Sequence, residues 1–492
     1  MQPRVPLAGR LALYGGLALA AWGYYAYEWR SIANFVRQTD HCQLVFCDFV
    51  HVYYPQAQEI GDSTQPVDGF VYSAMFGWVL APIGKLAPDT ALTVWGVFQV
   101  ALTTLMVVPL SWLFLRGAER FWWRLGYFAL CLTSIPLFHN FKWGQVSVLL
   151  TVCVIMAAFF QRGRAASVIA GFLVAFAAAI KLYPAVFLLI FLSRKQWLAL
   201  ATAVILFVLL LALPVWPMGY DRFKSFSTAK LVLVIKKEVV EDPNSQYVVR
   251  VLAADFPSLF DTTNAIAVLK PAGRAVAVLN ILLVFGTGLI QMPEESKRRL
   301  MVCLLFLTLP FVLTTSWMHY LVYLPFCQTC LPYEATRLLR DDKRWWMVTV
   351  WVLAGVSAVL SSVPMVRRQA DWVAYVTPGF GFYANLAALL AAYVVLLTLV
   401  RAAGFGRGVP RRRVLPGRTA AAGARHEHGL HASSKQDDWQ TIGPGAAPTG
   451  ACEAHHMHRR SHLDLQADQV LRGAQRPPAL SAGGFHRSAG IL

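Results

Sequence analysis

Charged residues are scarce in this chain. Only 14% of its 492 residues are Asp, Glu, Lys or Arg, whereas 57% are hydrophobic. Because about a quarter of the residues in a soluble domain are charged, this composition excludes an ordinary soluble protein. The runs at 198–215 and 345–360 have the length and apolarity of membrane spans. The sequence therefore predicts an all-α polytopic membrane protein.

The cysteines do not form a disulfide framework. Five of the eight, at positions 131, 153, 303, 327 and 330, lie within apolar runs, where the sequence predicts packing and not redox chemistry. Cys42 and Cys47 lie in the same predicted outer loop, and a disulfide between them is left open. We expect no cleavable signal peptide, because the first apolar run, at 11–27, is long enough to remain as a membrane anchor.

The charge that is present is mostly basic. The formal net charge is +18, but much of it lies in short loops and in the tail, where Lys and Arg set membrane orientation. We therefore expect no nucleic-acid partner. If the run at 70–82 only dips into the outer leaflet, Arg116, Arg120 and Arg124 fall on the same side as the other basic short loops. That assignment predicts both termini in the cytoplasm.

Twelve apolar segments are predicted as membrane spans. They lie at 11–28, 91–115, 123–138, 145–161, 165–181, 183–193, 196–216, 275–291, 298–315, 318–333, 345–363 and 383–401. These spans define a transmembrane domain over 1–403, with a first outer loop at 29–90 and a long outer loop at 217–274. A short helix of the first outer loop is expected to lie along the outer surface of the membrane.

The remaining segment, 404–492, is predicted to be a disordered cytoplasmic tail. It is rich in Gly, Ala, Pro, His and Arg and has no apolar periodicity. Eight of the twelve histidines fall in this tail, but their irregular spacing favours chance composition over a metal site.

Polar interruptions gather on the predicted outer side. Asp48 precedes Tyr53 and Tyr54 in the first outer loop, and Lys181 separates two apolar runs. An ammonium group at such a boundary must reach the interface or bind an anion, which favours a phosphate partner. Aromatic and polar residues also collect at membrane interfaces without a functional role, and this alternative is left open. The other candidates, from span ends and the long outer loop, are His139, Gln145, Tyr183, Asn244, Gln246, Arg250 and His319.

The central part of the chain resembles a known family. The residues that carry the resemblance are Gln145, Gly163-Arg164, Ala170-Gly171 and Lys181-Leu182-Tyr183-Pro184, which are separated by apolar stretches. They are similar to the central signature of glycosyltransferase family 87. The early Asp48 and the later Asn244-Ser245-Gln246 resemble the family in type and order. The chain departs from the family at Tyr72-Ser73-Ala74, where Tyr-Pro-Pro is usual.

The resemblance implies a GT-C fold and a lipid-linked sugar donor. A hexose, with mannose as the first expectation, would move with inversion from a polyprenyl phosphate to a hydroxyl group of a lipid or glycan acceptor. The reaction would take place on the extracytoplasmic face of the cell membrane. Nucleotide sugars are not available on that face, so the lipid must carry the sugar across.

The same resemblance implies roles for single residues. Asp48 is the expected general base, since one carboxylate suffices for a single inverting displacement. No Asp-x-Asp pair occurs in the first outer loop, so no metal cofactor is expected. The expected contacts to the donor phosphate are Lys181, His319 and Arg250. The expected contacts to the substrates are Tyr53, Tyr54, His139, Gln145, Tyr183, Asn244 and Gln246.

Several alternatives remain open at this point. Asp48 has the competing interpretation of a helix cap or of a partner for Arg37, and Asp40 and Glu59 are alternative bases in the same loop. Twelve spans are also common in secondary transporters, although the two halves of this chain show no evident repeat. A GT-C polymerase or ligase that uses a diphosphate-linked glycan is the remaining alternative.

Overall fold

The computed structural model describes residues 45–61, 72–116, 120–160, 163–224, 226–227, 244–260, 262–339, 343–364 and 372–404, together with Gly16, Leu19 and Gly23. Most of these residues are helical, and no strand occurs among them. The all-α prediction is therefore confirmed for this part of the chain. The predicted tail beyond 404 and nearly all of the predicted span at 11–28 lie outside it.

The first half of the chain forms helices of very different lengths. A π-helical turn at Phe49–Tyr53 precedes α1, and a 3₁₀ turn at Tyr183–Phe187 precedes α9. The helices are α1 (Tyr54–Gly61), α2 (Ala74–Gly84), α3 (Pro88–Val107), α4 (Pro109–Phe114), α5 (Phe121–Thr133), α6 (Ile135–Trp143), α7 (Ser147–Phe159), α8 (Gly163–Ile180), α9 (Leu188–Ser193), α10 (Trp197–Ala212) and α11 (Val215–Met218).

The second half contains longer helices. A 3₁₀ turn at Met318–Tyr323 joins α14 to α15. The helices are α12 (Val248–Asp255), α13 (Thr262–Leu289), α14 (Glu294–Val312), α15 (Leu324–Leu338), α16 (Arg344–Leu360), α17 (Trp372–Val376) and α18 (Phe380–Gly404).

Five stretches of the described chain are long and apolar enough to cross a membrane. They are Pro88–Phe114, Gly163–Ile180, Trp197–Met218, Asn264–Leu289 and Ala374–Arg401. On α10 the apolar side chains point outward, and Val204, Ile205 and Val208 are about half exposed. Such a surface would be unfavourable in water but matches the hydrocarbon of a bilayer. The structure thus supports a membrane protein, while the count of twelve spans stays a prediction.

Helix α2 lies in the run at 70–82. The predicted topology depends on whether this run crosses the membrane. The helix contains 11 residues and therefore rises about 16 Å, well short of the roughly 30 Å hydrocarbon core. Pro82 lies inside it, near its end. A helix of this length fits a segment that dips into one leaflet, as the topology requires.

Two predicted spans differ from the helices that form. The segment predicted as one span at 123–138 is divided between α5 and α6, because Ser134 is extended and its hydroxyl group caps the N–H of Leu137. Pro136 occupies the first turn of α6, where the missing N–H costs nothing. Helix α13 begins at Thr262, so it takes in residues that the prediction gave to the long outer loop.

Helices α14 and α15 form the centre of the core. All side chains from Leu300 to Leu307 on α14 are fully buried, as are Phe326, Cys327 and Leu331 on α15. A helix that is apolar all round requires neighbours on every side. At the end of the helices opposite the Met318–Tyr323 turn, the guanidinium group of Arg299 pairs with Glu334, and both side chains are completely buried.

Candidate active site

The side chain of Gln145 joins four other polar side chains. Its amide nitrogen donates a hydrogen bond to Oδ2 of Asp48. Its carbonyl oxygen accepts hydrogen bonds from the hydroxyl groups of Tyr53 and Tyr72, at 3.0 and 2.7 Å. The same oxygen accepts a hydrogen bond from Nζ of Lys181 at 3.3 Å. We call these five residues the Gln145 cluster, and it brings the predicted base and the predicted phosphate-binding cation together.

The backbone around Gln145 is fixed by the end of α6. Gly144 ends this helix with a φ of +66°, the left-handed conformation that glycine adopts at helix C-termini. The N–H of Gln145 then donates to the carbonyl oxygen of Asn140 at 2.9 Å. The carbonyl oxygen of Gln145 accepts a hydrogen bond from Nε2 of Gln99 on α3 at 3.0 Å. Both backbone polar groups of Gln145 are therefore satisfied within the fold.

The loop that carries Asp48 is fastened to α6 by Phe46. The N–H of Phe46 donates to the carbonyl oxygen of Lys142 at 2.6 Å, and its ring packs edge-on against Phe141. Phe46 has a φ of +60°, which is uncommon for a bulky residue. This turn leads into the π-helical turn at Phe49–Tyr53, which Asp48 precedes. Single π-helical turns occur frequently at functional sites.

Asp48 is more basic than an exposed carboxylate. Burial raises the pKa of its carboxyl group from 3.8 to about 6, although the hydrogen bond from Gln145 and the positive charges of Lys181 and His51 act in the opposite direction. At neutral pH the group is ionised and yet retains more affinity for a proton than an ordinary aspartate. The residue is half-buried, and no hydrogen bond to its Oδ1 occurs among the described residues.

Lys181 lies between two aromatic rings. Its Nζ is 4.6 Å from the ring centroid of Tyr72 and 4.4 Å from that of Tyr320, and it donates to the Tyr320 hydroxyl group at 3.2 Å. Ring faces attract a cation electrostatically without neutralising it. The ammonium group is thus held in place while retaining its charge. That Lys181 binds the phosphate of a donor stays a prediction.

His139 and His319 form a stack beside Tyr320. Their ring planes are 12° from parallel, with centroids 5.5 Å apart, and Trp372 stacks on His139 at 4.9 Å. The His319 ring centroid lies 4.8 Å from that of Tyr320. His319 is buried, and neither of its ring nitrogens has a hydrogen-bond partner within the described part of the chain. Because buried polar groups are nearly always paired, these nitrogens are candidates for contact with a ligand.

Asn244 and Gln246 contact the protein itself. The backbone N–H of Gln246 donates to the carbonyl oxygen of Ser316, and its side-chain oxygen accepts a hydrogen bond from the N–H of Phe382 at 3.0 Å. The side-chain oxygen of Asn244 accepts a hydrogen bond from Nε1 of Trp372 at 3.1 Å. These contacts attach the end of the long outer loop to the elements that surround the histidine stack.

Three further predicted residues are placed at the edges of this region. Arg250 donates hydrogen bonds to the backbone carbonyls of Val376 and Thr377, at 3.4 and 2.9 Å, and its side chain is buried. The hydroxyl group of Tyr54 donates to the carbonyl oxygen of Leu86 at 2.7 Å. Neither residue contacts Asp48 or Gln145. The ring of Tyr183 packs against Tyr320, with centroids 5.6 Å apart.

Two residues of the site were missed by the reasoning from sequence. Tyr72 donates to Gln145 and faces Lys181, yet it was noted only where the chain departs from the family pattern. Tyr320 contacts Lys181 and adjoins His319, and its place directly after that histidine is the signal that points to it. Tyrosine is common at membrane interfaces, so sequence alone does not separate these two from the others.

Two further predictions concern a metal cofactor and a disulfide. They contain no group of three or more His, Cys, Asp or Glu side chains that could hold a metal ion. The expectation of a metal-independent reaction stays a prediction. Cys47 takes part in a disulfide whose partner lies outside the described residues, so its pairing with Cys42 also stays a prediction.

The comparisons with known proteins identify the family. The model of the family described as Glycosyltransferase family 87 matches residues 70–316, which is half of the chain. No curated protein and no solved structure gave a significant match. The matched region includes Gln145 and Lys181, and the apolar helices agree with a membrane location. The chain belongs to glycosyltransferase family 87 and is a membrane glycosyltransferase.

Proposed function

We propose that the enzyme transfers a hexose, with mannose as the first candidate, from a polyprenyl-phosphate donor to a hydroxyl group of a lipid or glycan acceptor. The observation that supports this most strongly is the hydrogen-bonded link from Asp48 through Gln145 to Lys181. It holds a base and a cation in one cluster. A displacement with a hydroxyl nucleophile and an anionic leaving group requires such a pair.

Asp48 acts as the general base in this proposal. Its carboxylate takes the proton of the acceptor hydroxyl group while that oxygen forms a bond to the anomeric carbon of the donor sugar. The bond between the anomeric carbon and the phosphate oxygen breaks, and its electron pair leaves with the polyprenyl phosphate. A single displacement inverts the anomeric configuration and needs no second carboxylate as a nucleophile.

Lys181 stabilises the leaving phosphate. The phosphate of the donor carries about one negative charge in the ground state and gains another as the glycosidic bond breaks. A fixed cation lowers the energy of the transition state more than that of the bound donor, because it interacts with the charge that develops. His319 is the second candidate for this contact, since its two buried ring nitrogens have no partner among the described residues.

The remaining contacts divide into three groups, and all of these residues except Tyr72 were predicted from the sequence. His139 and Tyr183 adjoin the phosphate-binding candidates through ring contacts, which supports a role in shaping the donor site. Tyr53 and Tyr72 bind Gln145 and lie close to the base. Arg250, Tyr54, Asn244 and Gln246 are bonded to backbone or side-chain groups away from Asp48, so we give them supporting roles in the fold.

We further propose a GT-C architecture with twelve spans over 1–403, both termini in the cytoplasm and the Asp48 loop on the extracytoplasmic face. The tail at 404–492 is proposed to be dispensable for catalysis. The distribution of Arg and Lys among the short loops supports this orientation. Reporter fusions after Arg164 and Arg299 should report cytoplasm, and fusions near Asp48 should report the outside. A cytoplasmic signal from the Asp48 loop would contradict both the proposed topology and the proposed active site.

The function is tested by supplying purified enzyme with a panel of polyprenyl-phosphate sugars and an acceptor extract. We expect consumption of one donor and release of free polyprenyl phosphate, with the hexoses ahead of the pentoses. A parallel reaction with a polyprenyl-diphosphate glycan separates the ligase alternative. Consumption of the diphosphate donor alone, or of no donor at all, would contradict the proposal.

A further inference from the structure

We propose that Gln145 is a positioning residue, which holds one carboxylate oxygen of Asp48 in place and leaves the other to receive the proton. This assignment differs from a direct substrate contact, which the sequence predicted for Gln145. It rests on the proposed function, because it concerns the base of that reaction.

The orientation of the Gln145 amide is determined by its neighbours. Tyr53, Tyr72 and Lys181 all approach its carbonyl oxygen, and an ammonium group can only donate. A flipped amide would turn its NH₂ group toward the Lys181 ammonium group. The nitrogen must therefore face Asp48, whose Oδ2 accepts its hydrogen bond. The three groups that donate to the amide oxygen therefore fix the orientation in which the amide nitrogen donates to Asp48.

This arrangement gives the two carboxylate oxygens of Asp48 different hydrogen-bond environments. Oδ2 is engaged by Gln145, whereas Oδ1 accepts no hydrogen bond from the described residues. Proton transfer requires the base to lie within hydrogen-bond reach of the acceptor hydroxyl group, in a narrow range of directions. An oxygen without a protein partner can meet that requirement. A carboxylate that was free to rotate about its Cβ–Cγ bond would meet it for only part of the time.

The polar atoms of Gln145 are also occupied by the protein. Its backbone N–H and carbonyl groups bind Asn140 and Gln99, and its side-chain oxygen already accepts three hydrogen bonds. The side chain is 2% exposed. A sugar hydroxyl group that donated to this oxygen would have to displace one of these contacts. Positioning is thus the role that its contacts favour.

Charged and titratable groups face Asp48 from several elements. Lys181 and His51 act electrostatically to lower the pKa of Asp48, and the hydroxyl groups of Tyr53, Tyr72 and Tyr320 lie near enough to interact with its charge. The hydrogen bond from Gln145 lowers the pKa of Asp48, against the larger effect of burial. Loss of this bond should therefore raise the pKa of the base and shift the acid limb of the pH–rate profile to higher pH.

Two substitutions test this inference. Gln145→Leu removes both polar atoms, whereas Gln145→Glu keeps an acceptor for the tyrosines and for Lys181 but, when ionised, cannot donate to Asp48. For both we expect kcat to fall roughly 10- to 100-fold, since a hydrogen bond to a charged group is lost. The KM for the donor should change little in Gln145→Leu, whereas the added carboxylate of Gln145→Glu lies beside Lys181 and should also raise this KM. The acid limb of kcat/KM should move up by roughly one pH unit.

Gln328→Leu is the matched control. Gln328 is a buried glutamine on α15 whose amide nitrogen donates to Ser357 and Ser361, so the same chemical change is made away from Asp48. The acid limb of the pH–rate profile of the Gln328→Leu enzyme should stay at the wild-type pH even if the protein becomes less stable. If Gln145→Leu fails to fold, Gln145→Met decides the matter, because it also lacks the amide donor but keeps the length of the side chain and adds no charge.

An unchanged acid limb in a folded Gln145 variant, or a loss confined to KM, would overturn the inference and restore the substrate-contact interpretation. In that case the wild-type enzyme still transfers sugar, so the proposed function survives. A wild-type enzyme that consumes no donor would instead remove the proposed function, and this inference with it.

Discussion

The amide nitrogen of Gln145 donates a hydrogen bond to the carboxylate of Asp48, although 97 positions of sequence separate the two residues. The loop that carries Asp48 and the end of α6 must therefore be docked together before the site exists. Phe46 provides that docking through its backbone bond to Lys142. The geometry of the base thus depends on a helix end that is remote in sequence, and several measurable consequences follow from this.

Lys181→Ala should impair both donor binding and turnover. The phosphate carries charge in the ground state and gains more in the transition state, so the cation contributes to both. We expect kcat/KM to fall roughly 100- to 1000-fold. Lys181→Arg should restore part of the activity, because it keeps the charge but replaces a compact ammonium group with a planar fork. Equal activity of the Ala and wild-type enzymes would exclude a phosphate contact at this position.

The pH dependence of the wild-type enzyme should report Asp48. Its pKa is raised to about 6, and in the proposed reaction the ionised form is the active one. Activity is therefore present above about pH 6 and lost as the pH falls through that value, about tenfold for each further unit. The measurement is kcat/KM against pH, which reports the free enzyme. An acid limb near pH 4 would indicate an exposed carboxylate and contradict the buried site.

Gly144→Ala should disturb the site through the backbone. Gly144 has a φ of +66°, and a Cβ atom there would lie 2.9 Å from Nε1 of Trp95 and 3.1 Å from Cβ of Phe46. We expect a loss of about 1–3 kcal/mol in stability and reduced turnover, because the neighbouring residue is Gln145. Gly126→Ala on α5 is the matched control, since nothing lies within 4 Å of its added Cβ. Thermal unfolding in detergent and kcat measure both effects, and equal behaviour of the two variants would refute the argument.

Glu334→Gln should destabilise the core without changing the chemistry. The buried guanidinium group of Arg299 then keeps Glu295, at 3.8 Å, as an acidic partner but loses its fully buried one. The expected loss is about 3 kcal/mol. Glu294→Gln is the control, because its ion pair with Arg194 is more than half exposed on the acidic side and should contribute about 1 kcal/mol or less. Comparable unfolding temperatures for the two variants would show that burial does not set the strength of the Arg299 pair.

Much of the site could be predicted from the sequence because polar residues are conspicuous in an apolar chain. Asp48, Gln145 and Lys181 each interrupt or border a hydrophobic run, and the structure brings all three together. The helix break at Ser134 is different. Apolarity continues through it, so a hydropathy pattern reads one span where capping and Pro136 produce two helices. The roles of Tyr72 and Tyr320 depend on contacts between distant segments, which the local pattern does not contain.

Arg250 is another residue whose contacts with a distant segment are not contained in the local sequence pattern. A cation in a long outer loop is a reasonable candidate for a phosphate contact. In the folded chain its guanidinium group binds the carbonyls of Val376 and Thr377, which end α17. Arginine serves both purposes, because its donors suit phosphate oxygens and backbone carbonyls alike. The packing of α12 shows the carbonyl contacts, and the contact of Arg250 with a donor phosphate stays a prediction.

Turnover and donor binding by the Asp48→Asn enzyme test the central claim most directly. The amide keeps the shape of the side chain but cannot accept the acceptor proton. We expect kcat to fall by a factor on the order of 10²–10⁴, while the dissociation constant of the donor stays close to that of the wild type. Near wild-type turnover by Asp48→Asn would contradict the account and make Asp40 or Glu59 the better candidate for the base.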